Sequence, residues 1–382
     1  MKLMKPQFST CLGTACLLAF LPISAPGQDA KTAPTNGVNT NLLSHLLAAR
    51  EAGPAWDELQ EAAAHPPSPP DEWQLKEPSP DEEARFFLPS ALILADKAVD
   101  FYSRFPADTN AIAAKLMEFG IITWAVDHGA TNQATRFDAV EKAVLADPKL
   151  SEDERFEIRD NAVRRAVNAR EPEGDMAMLA EFEKGARMIE KEFPKRPDFF
   201  VMLLQVAENS DPDKSRALLK EIATNDPPAE LKDAAADMQK QLDRVGTALT
   251  LKFTAVDGRQ VDVAKMQGKV VLLNFWATGS EASVDLLSEI KESYDKRHGK
   301  GLEIVGINMD ENKESLTNFV AAQQIAWPQF FDALNAPTNY AAQFGVKGED
   351  LPAAWLVDKK GVLRYINAGF DMNRKIDALL AE

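Results

Sequence analysis

The sequence predicts an all-α region followed by an α/β domain, and three observations predict it. From about residue 84 to 247, apolar residues recur at the helical spacing of three and four. From Leu249 onward the pattern changes to alternation, with Leu251, Phe253 and Ala255 set against polar neighbours. It then changes to two continuous apolar runs, residues 270–276 and 304–307, as expected of strands covered on both faces. Between these runs Val284, Leu287, Ile290 and Tyr294 mark one helical face, giving a strand-helix-strand unit with a parallel pair.

The chain has 382 residues, which favours two domains, and its 45% hydrophobic and 27% charged composition suits buried globular cores. Lys2 and Lys5 precede an apolar run over residues 11–25, which Pro26, Gly27 and a polar stretch follow. That layout predicts a signal peptide over residues 1–28 and an exported, periplasmic or extracytoplasmic, protein. Pro22 interrupts the run and it falls short of the roughly 20 residues that span a bilayer, so no stable membrane insertion is expected once it is cleaved. An uncleaved anchor is the other reading. Cys11 and Cys16 are the two cysteines of the chain, so cleavage would leave a mature protein without a thiol.

Residues 29–83 read as a leader and a Pro-rich segment with a short helix. Six prolines between His65 and Asp81 supply no backbone donors and disfavour helix before them. The helical domain, 84–247, is punctuated at Phe105-Pro106, Asp147-Pro148, Phe193-Pro194 and Asp226-Pro227. The spacing Ala98 to Phe105 returns as Ala186 to Phe193, so two readings stand: helix pairs resembling tetratricopeptide-type repeats, or a non-repetitive bundle. The domain expected over 248–382 opens with a hairpin around Asp257-Gly258. After the strand-helix-strand unit come a helix over 315–324, a hairpin turning at Asp358-Lys359-Lys360-Gly361, and a closing helix over 373–380.

Three ordered motifs carry a resemblance. The Gly258 to Gly268 segment, Lys269-Val-Val-Leu-Leu-Asn-Phe-Trp-Ala-Thr278, and later Leu351-Pro352-Ala353-Ala354-Trp355-Leu356-Val357-Asp358, resemble the entry hairpin, the strand leading to the active site and the cis-proline segment of exported thioredoxin-like redoxins of the TlpA/ResA type. The resemblance implies a thioredoxin-like α/β fold over residues 248–382, a cis peptide bond before Pro352, and thiol-disulfide oxidoreductase or peroxidase activity. In such families Trp-Ala-Thr leads into Trp-Cys-Gly-Pro-Cys. Here Thr278 leads into Gly279-Ser280-Glu281-Ala282-Ser283, so serines stand where the resemblance implies cysteines.

Exchange needs a thiolate attacker, its pKa lowered at a helix N-terminus, and a second thiol to resolve the mixed disulfide. Serine supplies neither. Thr278-x-x-Glu281 reads instead as a capping box, and Ser280 is itself a favoured N-cap. The expectation is a degenerate site at Ser280 and Ser283 without catalysis, and a non-catalytic binding or scaffolding protein. The binding residues expected are Trp276, Gly279, Glu281, Leu351 and Pro352, although Trp276, Trp327 and Trp355 also read as core. Asp310-Glu311 could meet a ligand at the carboxyl end of the sheet, and otherwise starts a solvated helix.

His45, His65, His128 and His298 are isolated, no cluster has metal-ligand spacing, and no phosphate-cradling glycine motif occurs, so no metal or cofactor is expected. The net charge of −16 lies mostly between residues 28 and 247 and repels nucleic acid and anionic membranes. The partner expected is an exported protein or peptide.

Overall fold

The computed structural model of the protein describes residues 40–333 and 339–382. The expected signal peptide, both cysteines and most of the polar leader lie outside them. The described residues divide into two compact units, 40–155 and 156–382. The expectation drew the boundary at 247/248, and the second half of the helical region instead packs in one unit with the sheet.

In the first unit, α1 (Thr40–Ala64) is longer than the short helix expected within 29–83. It buries Ala52, Trp56, Leu59 and Ala63, one face at helical spacing. Trp56 meets Phe101 of α2 (Pro80–Arg104) at a ring separation of 5.2 Å. Ser79 and Glu82 cap α2 reciprocally, each backbone amide donating to the other's side chain. α3 (Ala111–Asp127) and α4 (Ala134–Leu145) follow. Tyr102 Oη and Arg136 Nε both donate to the buried Glu118 carboxylate, at 2.6 and 2.8 Å, which offsets the cost of burying it.

The division falls inside α5 (Glu152–Asn168), and the second unit continues with α6 (Asp175–Glu192), α7 (Asp198–Asn209), α8 (Pro212–Thr224) and α9 (Ala229–Leu242). Ala98 and Ala186 are both fully buried. The helices that carry them end alike: Phe105 closes α2 at φ −124°, ψ 56°, and Phe193 closes α6 at φ −130°, ψ 59°.

The α/β part begins with an antiparallel hairpin, β1 (Lys252–Thr254) and β2 (Gln260–Asp262), with Phe253 opposite Val261. A five-stranded sheet follows in the order β5-β4-β3-β6-β7. β3 (Val270–Trp276) and β4 (Leu302–Asn308) are parallel across α10 (Glu281–Arg297). α11 (Lys313–Ala322) leads to β5 (Gln329–Phe331), parallel to β4. After α12 (Tyr340–Phe344), β6 (Ala353–Val357) runs antiparallel to β3 and β7 (Leu363–Tyr365) antiparallel to β6, before α13 (Met372–Ala381) closes the chain. Only three residues long, β5 falls below the length at which alternation is readable, and neither it nor α12 was anticipated.

Alternation along β3 sorts the core into two layers. Val271, Leu273 and Phe275 pack with the first hairpin and α12; Val270, Leu272 and Trp276 pack with α10 and α13. The residues between helices and sheet are themselves paired to it: Gly246 N donates to Leu363 O, and Leu249 N to Gly361 O, at 2.8 and 2.9 Å. This explains why 247/248 is not a division.

Candidate functional site

β3 delivers the chain to the carboxyl end of the sheet, and α10 starts there. Ser280 is the N-cap, its Oγ accepting from Ser283 N at 3.2 Å. The Thr278–Glu281 capping box does not form. Thr278 N donates instead to Asp310 Oδ1 at 2.7 Å, leaving Ser280 to start the helix. Ser283 is 0% exposed, with its Oγ 3.5 Å from Ala277 N. One serine caps and the other is sealed beneath the first turn.

Asp310 is 7% exposed and is not the start of a solvated helix. Its other oxygen accepts from Asn308 Nδ2 at 3.0 Å, so it ties the ends of β3 and β4 together, while Glu311 stays exposed. The legible signal was its position just past the carboxyl end of a central strand.

Trp276, expected among the binding residues, belongs to the core. It is 0% exposed and its Nε1 donates to Gln329 Oε1 at 3.0 Å. Period-2 alternation puts it on the face covered by α10 and α13. Gly279 and Glu281 are both exposed at the start of α10. Leu351 is half-buried against the hairpin-side core. Trp327 and Trp355 are buried as expected.

The Leu351–Pro352 bond is cis, as expected. Pro352 lines a cavity of about 350 Å³ whose other walls are α7, α8, α9, the 345–350 turn and residues 365–367. None of residues 278–283 lines it. Of the expected binding residues, the structure brings Pro352 alone to this cavity, and sequence reasoning missed its helical wall because nothing in helical periodicity says which helix docks on a sheet edge. The docking bonds are specific. Asn367 Nδ2 donates to Glu208 O at 2.9 Å, Gln241 Nε2 to Gly345 O at 2.7 Å, and Lys347 Nζ pairs with Asp237 at 2.9 Å. Hydrogen bonds from Lys240 and Lys347 hold Asp237 down to about 2, and burial raises Asp350 above the usual carboxylate range.

Beneath the 366–370 loop, Lys375 is 2% exposed and donates to Asn367 O and Phe370 O at 2.9 and 2.8 Å. Desolvation lowers its pKa to about 8. No described group of three His, Cys, Asp or Glu side chains could hold a metal ion, and no described helix is long and apolar enough to cross a membrane.

Residues 245–366 match the family model described as the AhpC/TSA family. The C-terminal domain has a thioredoxin-like α/β fold. Curated relatives of this domain include a thiol-disulfide oxidoreductase ResA of Bacillus cereus, 30% identical over 108 residues, which are 28% of this chain and 60% of that protein. The ResA of Geobacillus kaustophilus is 27% identical over 137 residues, covering 35% of this chain and 76% of that protein. A solved thiol:disulfide interchange protein of the thioredoxin family from Chlorobium tepidum TLS is 20% identical and covers 36% of this chain and 97% of its own, with a TM-score of 0.32. The similarity to the first of these relatives thus spans less than two thirds of its length and under a third of this chain. At the thioredoxin-like site the groups present are hydroxyls, amides and one buried carboxylate, which can bind and orient; no side chain among the described residues is a thiol.

Proposed function

We propose that the protein is exported and non-catalytic, and that its thioredoxin-like domain holds an extended protein or peptide segment at the groove beside Pro352. The observation that carries this reading is the placement of Ser280 and Ser283 at the start of α10. These are the positions where exchange chemistry needs a low-pKa thiolate and a resolving thiol. An alcohol is not ionised there at neutral pH, and a displaced sulfur cannot be resolved by oxygen. Backbone groups beside Pro352 pair with an extended chain without any thiol. The like-ended helices at Phe105 and Phe193 support a helix-pair repeat in the helical region, whose role is to supply the second wall of the site.

A thiol-disulfide oxidoreductase or peroxidase, suggested by the names of the relatives, is the second reading, and it would have to draw on Cys11 or Cys16. Disulfide-reductase and peroxidase assays on the mature chain, whose first residue is set by N-terminal sequencing, separate the two. The expected result is no turnover above the protein-free blank. Turnover that alkylation abolishes overturns the proposal. Capture of exported partners by wild type and by Pro352→Ala, both checked for folding, tests the binding half; equal capture moves binding away from the groove.

A further inference from the structure

The cavity beside Pro352 has two chemically different parts. Val201, Leu204 and Met238 from the helical wall, with Ile366 and Pro352 from the thioredoxin-like wall, make an apolar lining. Glu208, Asp237, Glu349 and Asp350 make an acidic one, with Lys347 as the single ammonium group among the lining residues. Lys347 is shared between Asp237 at 2.9 Å and Glu349 at 3.7 Å, and Asp237 also accepts from Lys240 at 2.9 Å. Four carboxylates against one ammonium make the lining formally negative beside an apolar face. A volume of about 350 Å³ is at the small end of ligand sites, roughly 300–1,000 Å³.

We propose that this cavity takes a lysine or arginine side chain of the extended segment bound at the groove, with its aliphatic stem on Val201, Met238 and Pro352 and its cationic head on the side of Glu349 and Asp350. This rests on the groove reading above and names the partner class within it. An amphipathic cation matches both parts of the lining at once: its methylenes cover apolar surface while its head keeps polar company. A bare metal ion is a poor match, since no described set of carboxylates converges on a coordination site. Anionic segments meet like charge, which costs affinity. The helical region thereby supplies the wall for the stem, while the thioredoxin-like domain supplies the acidic turn and the backbone-pairing edge.

The test uses the full mature protein and a set of short, blocked, extended peptides differing at one central position: lysine, norleucine or glutamate. Binding is read by calorimetry at low and physiological salt. Expected is a preference of about tenfold for lysine over norleucine and more over glutamate, shrinking as salt screens it. The double variant Glu349→Gln/Asp350→Asn, with folding checked by circular dichroism, should bring lysine and norleucine within about twofold. Equal binding of lysine and norleucine by wild type, or an undiminished lysine preference in the double variant, overturns the inference. If such peptides still lose binding in Pro352→Ala, the groove reading survives that failure. Absence of binding by every peptide up to millimolar concentration overturns both.

Discussion

Replacing Ser280 with alanine separates capping from chemistry at the thioredoxin-like site. The perturbation removes one acceptor, the Oγ that takes the Ser283 amide at 3.2 Å. Loss of an N-cap side chain costs about 1 kcal/mol, within a range of roughly 0.5–2. The upper half of that range applies here, because Ser283 is 0% exposed and water does not readily replace the lost acceptor. About 1.5 kcal/mol of local stability corresponds to roughly tenfold faster opening, so amide hydrogen exchange over the first turn of α10 should quicken by about that factor. Glycine at 280 should cost only a few tenths of a kcal/mol. Aspartate, which restores the acceptor and adds a charge favourable at a helix N-terminus, should restore or exceed wild-type protection. Exchange within twofold of wild type for the alanine variant, or a glycine variant as damaged as alanine, would refute the capping argument and return Ser280 to the list of residues awaiting a chemical role.

Two further substitutions probe the interior under the site. In Gly306→Ala the new Cβ would lie 1.8 Å from Gln329 Oε1, a side chain 1% exposed that holds Trp276 Nε1. Overpacking plus an orphaned indole donor predicts a loss of about 2–5 kcal/mol in urea denaturation, and a loss under about 1 would contradict the packing argument. Lys375, lowered to about 8, binds fewer protons folded than unfolded as pH rises from there to its ordinary 10.5. Its burial penalty is therefore complete below pH 8 and relieved above it, so wild type should gain about 3 kcal/mol relative to Lys375→Met between pH 8 and 10.5. A pH-independent difference between the two proteins would show that the ammonium is not desolvated.

Much of the α/β part was legible residue by residue. The run from Val270 to Trp276 reads as a buried strand because both faces are apolar, and the structure covers both. The Asp358–Gly361 turn was readable because Asp358 caps it through Lys360 N and Val362 N and Gly361 takes φ +82°. β5 escaped because Gln329, its first residue, is polar in sequence yet buried, its side chain occupying the space that Gly306 leaves empty. Asp310 escaped for a related reason: a carboxylate before a helix looks solvated until the amide of Thr278, 32 residues earlier, is seen donating to it.

The sequence alone determined the elements, because period 2 and period 3.6 are local properties, and it determined the absence of thiols from the described chain, because composition needs no coordinates. The resemblance to redoxins implied a cis X-Pro bond before β6, and Leu351–Pro352 has it. Only the tertiary structure decided that the domain division falls at 155/156, that Trp276 is core while Pro352 lines a cavity, and that a helical wall shares that cavity with the proline. Each of these depends on which faces meet across long stretches of chain, as in the bond from Gln241 to Gly345 O. Such docking is set by surface complementarity between finished elements, and amphipathic periodicity records that a helix has an apolar face without recording what that face will cover.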